Sequence, residues 1–593
     1  MIIPQGSEEK RQPKYGSDLM VDLMAALDIE YAAFNPGATF RGIHDSLVNY
    51  AGNVKPRVIF CCHEEISVAI AHGYGKAKGK PMAAITHNIV GLQHASMAIF
   101  NAWCDRVPVI VLGGTGPTDT TRRRPWIDWI HTALVQGNQV RDYVKWDDQP
   151  HSLKGVPSSL IRGYRIATTE PKAPVYICFD AALQEDLIQE PVDLPDLGRF
   201  SPPAPMQGNP EALKKAAALL VEAKAPLIIA DYVGRHPGAV SSLIEIAELL
   251  SIPVIDKGSR FNFPNAHPLD VTEGAGELMR KADVLLALDV QDLFGGLSAL
   301  NRQTRETEHI LSPSAKIIHV SMNDMLIHSW ASDYQCLQAV DVPISGDTSV
   351  VLPELTRLCR QLIGNVEKSK DVMTTRFNAI KEIHEQLRRK WSEQARATAS
   401  RKEIATAFLA LEIWEAIKNE DWVLANGSSN GWARRLWDWT RPYQFLGRNG
   451  GAGLGYGMGA SIGAALAHAG TGRVCVDIQG DGDLLMTPSA LWTAAHHKIP
   501  LLMVIFNNQS FYNSEEHQIR TATFRNRPVE TAGIGSHLDN PAINFAKMAE
   551  SYGIYSEGPI QRPEDLRPAL QRAMKIVTEK RLPALVDVIT EVR

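Results

Sequence analysis

The sequence is poor in cysteine, has no excess of basic residues and contains no long apolar run. Its 593 residues include seven scattered cysteines and no Cys-x-x-Cys pair. This pattern argues against a disulfide scaffold or a cysteine-ligated zinc site, and it predicts reduced thiols in a cytoplasmic protein. The formal net charge of −5 gives no electrostatic footprint for nucleic acid.

Nothing in the sequence predicts secretion or membrane insertion. The first residues lack a basic segment followed by an apolar stretch, so we expect no secretory signal. No apolar run approaches the roughly 20 residues needed to cross a bilayer. The hydrophobic content of 45% and charged content of 21% are typical of a soluble globular protein. The length predicts about three or four domains.

What the sequence does contain is a repeated alternation of short apolar runs and helical segments, in three blocks. The blocks cover residues 15–189, 209–363 and 402–593. A proline-rich linker over 190–205 separates the first two, and a charged, helix-prone stretch over 366–401 precedes the third. The alternation predicts an α/β fold of three Rossmann-like domains with central parallel sheets.

Two predicted strands of the third block carry polar residues at their carboxyl ends. Apolar runs at 474–478 and 501–506 flank a predicted helix over 487–498, which is typical of a βαβ unit. Asp481 lies between two glycines after the first strand, and Asn508 follows the second. Such strand ends bind ligands in α/β sheets. Carboxylate and amide oxygens suit Mg²⁺ held against a diphosphate, and the glycines let backbone amides approach phosphate oxygens.

This segment closely resembles the cofactor-binding motif of thiamine diphosphate-dependent enzymes. On that resemblance Asp481 and Asn508 are Mg²⁺ ligands, with the Ser510 carbonyl as a third. The resemblance implies thiamine diphosphate and Mg²⁺ as cofactors, and it makes the three blocks the pyrimidine-binding, middle and diphosphate-binding domains. It implies further cofactor contacts at Gly480, Gly482, Asp483, Asn508, Ser510 and Phe511.

A segment of the first block resembles the part of these enzymes that carries the activating glutamate. It reads HEEISVAIAHGYGKAKGKP, starts at His63 and follows a predicted strand. The resemblance assigns Glu64 to hydrogen-bond N1′ of the aminopyrimidine, with Glu65 as the alternative if the register differs by one. A carboxylic acid in an apolar pocket can share its proton with a ring nitrogen. An acid at a helix N-terminus can also serve simply as a capping residue.

A glycine-rich stretch of the third block resembles the loop that bends the cofactor. It reads GRNGGAGLGYGMGASIGAAL and starts at Gly447. The resemblance makes Leu454 the bulky apolar wedge, and it makes the Ala452 carbonyl the acceptor for the 4′-amino group. Small donors after an upstream strand suit diphosphate oxygens, although turns use the same residue types. These donors are Ser428, Ser429 and Asn430.

The resemblance also implies an oligomer. In this superfamily one subunit binds the pyrimidine end of the cofactor and its partner binds the diphosphate end. Because Glu64 and Asp481 lie in different blocks, we expect a homodimer or homotetramer with active sites at subunit interfaces. Aromatic residues beside the motifs either line a substrate pocket or pack that interface. They are Trp126, Trp129, Phe511 and Tyr512.

Two subgroups of the superfamily are similar to different parts of the chain. The middle-block strings GSRFNFPNAHPLD and AKIIHVSMNDMLI resemble acetolactate synthases, which often carry FAD. Here the expected arginine-containing loop is replaced by residues 289–294, and the turn after residues 228–230 has few glycines. We therefore expect FAD to be absent.

The first block resembles benzoylformate decarboxylase. The matching strings are NPGA at 35–38, VKWDDQP at 144–150, and Thr86-His87 followed by NIVGLQHASMAIFNAW. On that resemblance His87 is the proton-transfer histidine over the thiazolium. Ala38 departs from the pattern, because that enzyme has a carboxylate-binding serine there, and this departure argues against an aromatic 2-oxo acid.

Two further histidines lie near these motifs. His131 falls where acetolactate synthases tend to place a glutamine facing the cofactor, and it serves either the catalysis or the packing. His94 lies one turn beyond Gly91 near a helix start, and we expect it to be satisfied in the core. A neutral histidine near the thiazolium can shuttle protons at physiological pH.

The favoured hypothesis is thiamine diphosphate- and Mg²⁺-dependent decarboxylation of a 2-oxo acid to an aldehyde, with Glu64, His87, His131 and Leu454 as catalytic residues. The alternatives are acetolactate synthase-like carboligation to acetohydroxy acids or acyloins, C–C hydrolysis of a diketone, and a catalytically inactive relative. A dehydrogenase built on the middle block would need a GxGxxG turn after a strand, and the sequence has no convincing one.

Overall fold

Three parallel β-sheets organise the protein, in agreement with the predicted α/β fold of three domains. The computed structural model describes residues 12–124, 130–325, 334, 336–364, 369–429 and 431–591. One compact unit contains the first sheet, and a second contains the middle and C-terminal sheets together with residues 72–80 and 104–106. No helix among the described residues is both long enough and apolar enough to span a bilayer.

The first sheet has six strands in the order β2-β1-β3-β4-β6-β5, all paired in parallel. Its strands are β1 Tyr31–Phe34, β2 Arg57–Phe60, β3 Ala83–Thr86, β4 Ile110–Thr115, β5 Asp147–Asp148 and β6 Val175–Asp180. The helices of this part of the chain are α1 Gly16–Ala26, α2 Arg41–Asp45, α3 Glu64–Lys78, α4 Ile89–Cys104, α5 Val156–Thr168 and α6 Ala181–Glu185.

The middle sheet has five parallel strands in the order β13-β12-β9-β7-β8, and β10 and β11 form a separate antiparallel pair. The strands are β7 Pro226–Ala230, β8 Val254–Asp256, β9 Val284–Leu288, β10 Ser298–Leu300, β11 Thr307–His309, β12 Lys316–Ser321 and β13 Val342–Ser345. The helices are α7 Pro210–Glu222, α8 Pro237–Leu250, α9 Gly276–Lys281, α10 Leu293–Gly296, α11 Thr348–Ile363 and the connecting helix α12 Ser369–Ala397.

The third sheet has five parallel strands in the order β14-β15-β16-β18-β17. The strands are β14 Trp422–Gly427, β15 Val474–Gly480, β16 Leu502–Asn507, β17 Tyr555–Ile560 and β18 Ala584–Ile589. The helices are α13 Thr406–Ile417, α14 Trp432–Leu436, α15 Tyr456–Ala467, α16 Asp481–Met486, α17 Ala490–His496, α18 Tyr512–Phe524, α19 Phe545–Ser551 and α20 Pro563–Thr578. The central strands β9 and β16 are almost entirely apolar and fully buried, which is typical of parallel strands covered by helices on both faces.

The helix predicted over 487–498 is present but shorter, since α17 runs from Ala490 to His496. Ser489 is the N-cap of α17, and a separate short helix, α16, starts at Asp481 and ends at Met486, before this stretch. Thr487 lies between them with non-helical φ −137° and ψ 50°, because the proline that follows disfavours helical dihedrals at the residue before it. The Thr487 hydroxyl instead donates to the Gly455 carbonyl at 2.9 Å. Asp481 itself is the first residue of α16, which follows β15 directly, and does not lie in a turn.

Helices α3 and α15 pack closely at Gly73, which is buried. A Cβ atom at Gly73 would lie 2.0 Å from the Ala460 carbonyl oxygen. A helix-interior glycine is otherwise unfavourable by about 1 kcal/mol relative to alanine. The close approach of the two helices therefore requires glycine at this position.

We expect Gly73→Ala to destabilise the protein by about 1–3 kcal/mol, because the backbone of α15 must move to accommodate the methyl group. Gly238→Ala in α8 is the control, since a Cβ there meets no atom within 4 Å, and its effect should stay within about 0.5 kcal/mol. Urea unfolding of both variants measures the difference. Equal stability of the two variants would contradict the account of this contact.

Candidate active site

The carboxyl ends of β15 and β16 bring the predicted metal ligands of the third block to one edge of the sheet. Asp481 follows β15 and Asn508 follows β16, and these strands are neighbours in parallel register. Both side chains are buried, and Ser510 lies beside them. We call Asp481, Asn508 and Ser510 the Asp481 site. The Asn508 side-chain oxygen accepts from the Ser510 amide at 3.2 Å.

The carboxylate of Asp481 has an environment that suits a cation. Its Oδ1 accepts from the Gly482 amide at 2.8 Å, whereas its buried Oδ2 has no hydrogen-bond partner among the described residues. Burial raises the pKa of Asp481 to about 6, and nearby backbone amides oppose that rise. An unpaired buried carboxylate oxygen beside an amide oxygen and a backbone carbonyl fits Mg²⁺, which prefers hard oxygen ligands. The residues that would hold it are those of the Asp481 site.

Two side chains that sequence reasoning missed hold Ser510 in place. The Ser510 hydroxyl donates to Glu515 Oε2 at 2.6 Å, and the other oxygen of Glu515 lies 3.1 Å from His537 Nε2. Ser510 also forms an isolated backbone bridge with His537. No motif marks either residue, because His537 reaches Ser510 only through the folded loop between α18 and α19.

The glycine-rich loop lies directly above a polar network. Asp483 Oδ1 accepts from the Gly455 amide at 2.5 Å, and the Gln479 side chain also donates to Asp483. A Cβ at Gly457, the second residue of α15, would lie 2.3 Å from Gln479 Oε1, so this glycine is needed for the start of the helix to approach the network. Burial raises the pKa of Asp483. Asp483, predicted to contact the cofactor, contacts this loop.

The other end of the same loop is fixed by a buried charge cluster that the sequence did not reveal. Asp105 Oδ2 lies 2.5 Å from Lys76 Nζ and 2.9 Å from His72 Nε2, and Asp105 Oδ1 accepts from the Gly450 amide at 2.9 Å. Lys76 donates to the Arg448 carbonyl at 2.7 Å. Burial lowers the pKa of Lys76 to about 8, while Asp105 opposes that shift.

Within the loop, Ala452 and Leu454 have the features expected of residues that contact a ligand. Ala452 has a positive φ of 51°, a conformation that is energetically costly for a residue other than glycine. Leu454 is apolar and yet 46% exposed. Both line a cavity of about 600 Å³ in the second unit.

The same cavity is lined by the predicted diphosphate donors Ser428 and Ser429. The Ser428 amide donates to the Ile478 carbonyl at 2.9 Å, which ties the donor turn to β15. Asn430 lies outside the described residues. At Gly482 a Cβ would lie 2.4 Å from the ring of Phe511, so that ring packs directly on the glycine.

In the first unit, Glu64 begins α3 directly after β2 and is 3% exposed. Its Oε1 accepts from the Asn35 side chain at 3.2 Å, and its Oε2 lies 3.1 Å from His94 Nδ1. Glu65 is only partly buried, so Glu64 is the more deeply buried of the two acids. We call Asn35, Glu64, His87 and His94 the Glu64 site.

The prediction that His94 is a core residue is wrong. Its side chain is 49% exposed and contacts the Glu64 carboxylate. One face of its ring stacks on His63, with centroids 4.8 Å apart and planes 19° apart. The prediction rested on how single histidines are usually buried, and it did not foresee that this part of α4 contacts Glu64 at the start of α3.

His87 follows β3, as predicted, and is held by its neighbours. Its Nδ1 lies 2.8 Å from the Thr39 hydroxyl, and its ring contacts the His131 ring edge-on with centroids 5.4 Å apart. A Cβ at Gly37 would lie 2.8 Å from the His87 Cβ, so the NPGA turn packs tightly on this histidine. Burial lowers the pKa of His87, and His131 lowers it further, which keeps the ring neutral at physiological pH.

Of the remaining predicted residues, the structure describes His131 and Tyr512 but not Trp126 and Trp129. His131 contributes its ring to the contact with His87, and its carbonyl accepts from the Ile89 amide at 3.2 Å. Its buried Nδ1 has no hydrogen-bond partner among the described residues. Trp126 and Trp129 lie outside the described part of the chain, and Tyr512 begins α18.

Three family models match the chain in domain order. "Thiamine pyrophosphate enzyme, N-terminal TPP binding domain" matches residues 14–139, the corresponding central domain matches 213–355, and the C-terminal TPP binding domain matches 425–588. Together these matches span well over half of the chain.

Similar proteins include a probable acetolactate synthase large subunit of Methanocaldococcus jannaschii, 25% identical over 97% of this chain and 92% of that protein. The acetolactate synthase large subunit of Haemophilus influenzae is 24% identical over 95% and 92%. Benzoylformate decarboxylase from Polynucleobacter necessarius superposes with a TM-score of 0.75 at 20% identity, over 98% of this chain and 99% of that one. At that identity the superposition shows a shared fold.

We expect Asp481→Asn to weaken Mg²⁺ binding by at least about tenfold, because the site loses its charged ligand. Glu530→Gln, an exposed acid of the same block, should leave the affinity unchanged. Calorimetric titration with Mg²⁺ in the presence of thiamine diphosphate measures both. Wild-type affinity in Asp481→Asn would remove Asp481 as a ligand.

The same variant tests, in the absence of metal, whether the ionised Asp481 carboxylate destabilises the folded protein as the pH rises. The folded-state pKa of Asp481, about 6, lies above its value of 3.8 in the unfolded chain, so wild-type stability falls as pH rises from about 4 to above 6. Asp481→Asn should be free of this loss and should exceed wild type in melting temperature at pH 8 more than at pH 4.5. A constant difference across that range would contradict the electrostatic account.

Proposed function

The chain belongs to the superfamily of thiamine diphosphate-dependent enzymes, and on that premise we propose that it uses thiamine diphosphate and Mg²⁺ to decarboxylate a 2-oxo acid to an aldehyde. The observation that carries the proposal is the buried Glu64 carboxylate at the start of α3, held at both oxygens. Such a carboxylate suits a hydrogen bond to a ring nitrogen of the cofactor.

When bound, thiamine diphosphate supplies an electron sink for the charge that C–C cleavage leaves behind. The protein contributes binding, orientation and proton handling. The Asp481 site would hold the metal that neutralises the diphosphate, while Ser428 and Ser429 offer donors to its oxygens. Leu454 and the Ala452 carbonyl would fix the bend of the cofactor. Glu64 would orient the aminopyrimidine and hold the proton at N1′.

His87 and His131 are the groups proposed to move a proton at the substrate. The Thr39 hydroxyl already accepts from the Asn88 amide at 3.2 Å, and its hydrogen can point at His87 Nδ1. In that arrangement His87 carries its proton on Nε2. Because burial lowers its pKa, the ring can give and take a proton without keeping a positive charge.

A second candidate function is carboligation of the acetolactate synthase type. The observation that favours it is that the similar curated proteins include acetolactate synthases from archaea, bacteria and plants. Decarboxylation and carboligation share the first half of the reaction and differ in whether a proton or a second carbonyl compound is the acceptor. The protonating histidine His87 favours the aldehyde product. Hydrolysis of a diketone is a further alternative for the same residues.

The middle domain supports the prediction that FAD is not bound. Asp289, which follows β9 and has a positive φ of 51°, is buried and pairs with Arg235 at 2.5 Å. Thr348 donates to the same carboxylate at 2.9 Å. The chain's own ion pair thus takes up polar groups at the strand ends, where a dinucleotide would bind.

As in the rest of the superfamily, we infer at least a homodimer.

Glu64→Gln should abolish exchange of the cofactor C2 proton with deuterium while cofactor affinity changes little, because glutamine cannot hold the proton at N1′. Glu65→Gln is the matched control and should exchange at the wild-type rate. Proton NMR of acid-quenched samples follows the exchange. If wild type loaded with thiamine diphosphate and Mg²⁺ shows no exchange, the chain is a catalytically inactive relative and the proposal fails.

His87→Ala should lower kcat for decarboxylation by about 10²–10⁴-fold, which is typical for loss of a general acid–base group, with little change in cofactor affinity. His151→Ala, at an exposed histidine of the same unit, should have no effect. Assays with pyruvate, longer aliphatic 2-oxo acids, benzoylformate and cyclic 1,2-diketones identify the substrate. Near-native turnover in His87→Ala would put carboligation ahead of decarboxylation.

A further inference from the structure

We infer that His94 is a positioning residue that holds the Glu64 carboxylate ready for the cofactor, an inference that rests on the proposed function. Glu64 has one partner for each oxygen, Asn35 at Oε1 and His94 at Oε2, at 3.2 and 3.1 Å. A carboxylate held at both oxygens cannot rotate freely about its last side-chain bond. Pre-orientation of this kind reduces the entropy lost when a ligand binds.

The geometry of α4 places His94 over Glu64. Gly91 lies one turn before His94 on the same side of the helix, and a Cβ at Gly91 would lie 3.0 Å from Glu64 Oε1 and 3.0 Å from the His87 Cβ. The missing side chain leaves room for the carboxylate beside the helix. His94, at the next turn, then reaches Oε2.

His63 fixes the other side of the His94 ring. The two rings stack, and His63 Nδ1 accepts from the Glu65 amide at 3.2 Å, so the start of α3 anchors the stack. Burial lowers the pKa of His63, and His94 lowers it further. Among the described residues, Glu64 and His63 are titratable groups that contact His94. Held between them, the imidazole has one well-defined orientation although half of it is exposed.

The contact defines which nitrogen of His94 carries the proton. An ionised carboxylate can only accept hydrogen bonds. His94 must therefore donate from Nδ1 to Glu64 Oε2, which leaves Nε2 as the unprotonated nitrogen of the neutral ring. A surface histidine without such a partner has no comparable reason to prefer the Nδ1–H tautomer.

The first experiment uses the protein without cofactor. Nitrogen-15 NMR of histidine-labelled protein at pH 8, with His94→Asn for assignment, should show His94 protonated at Nδ1 in wild type. In Glu64→Ala that preference should be lost. If His94 is protonated at Nε2 in wild type, or if its tautomer is the same in Glu64→Ala, the inference is overturned.

The second experiment uses the holoenzyme and a conservative rescue. His94→Leu removes the donor, whereas His94→Asn keeps a side-chain N–H near the position of Nδ1. We expect exchange of the cofactor C2 proton to slow on the order of 10–100-fold in His94→Leu, the effect of losing a hydrogen bond to a charged group. In His94→Asn it should stay within a few-fold of wild type across pH 6–9.

Two results of the second experiment would contradict the inference, namely wild-type exchange in His94→Leu or equally slow exchange in both variants. Thermal denaturation checks that both variants are folded, which the exposure of the side chain favours. If wild type itself exchanges no C2 proton, the proposed function fails on its own. The tautomer of His94 in the cofactor-free protein still decides the contact with Glu64.

Discussion

Parallel strand pairing is the constraint on which the candidate site depends. In the first sheet Phe34 of β1 pairs with Phe60 of β2 and with Ile85 of β3. The residues that follow these strands, Asn35, Glu64 and His87, therefore emerge at one edge. The pairing of Gly480 with Phe506 does the same for Asp481 and Asn508 in the third sheet. Strand pairing thus brings residues that are distant in sequence together in each site, and the contact of α4 with the start of α3 adds His94 to the first.

The two sites are prepared for ligands in opposite electrostatic ways. The Glu64 carboxylate has side-chain partners at both oxygens before any ligand binds, so its orientation is already fixed. The Asp481 carboxylate has a buried oxygen without a hydrogen-bond partner among the described residues and a raised pKa, so it offers unpaired charge that a cation relieves. Around both, glycines at 37, 91, 457 and 482 let backbone or side chains approach at distances that a Cβ would forbid.

The sequence predicted the features that are local or periodic. Apolar runs at 474–478 and 501–506 predicted β15 and β16 to within two residues at each end, and strand ends predicted where Glu64, His87, Asp481 and Asn508 would lie. It did not predict features that depend on tertiary contacts. The break at Thr487 follows from the proline after it, but His94, Glu515 and the Asp105 cluster act through partners that no spacing reveals. The sequence around His94 is compatible both with a buried core histidine and with a histidine in a functional site. The distinction depends on how α4 packs over α3, which the sequence does not show.

The central proposal is that Glu64 binds the pyrimidine end of thiamine diphosphate and that Asp481 binds the metal at the diphosphate end. A crystal structure of the protein grown with thiamine diphosphate and Mg²⁺ tests it most directly. The account predicts a metal ion ligated by Asp481, Asn508 and the Ser510 carbonyl, and an aminopyrimidine nitrogen hydrogen-bonded to Glu64. A cofactor whose metal lies on other residues, or whose pyrimidine meets Glu65 or no carboxylate, would contradict it.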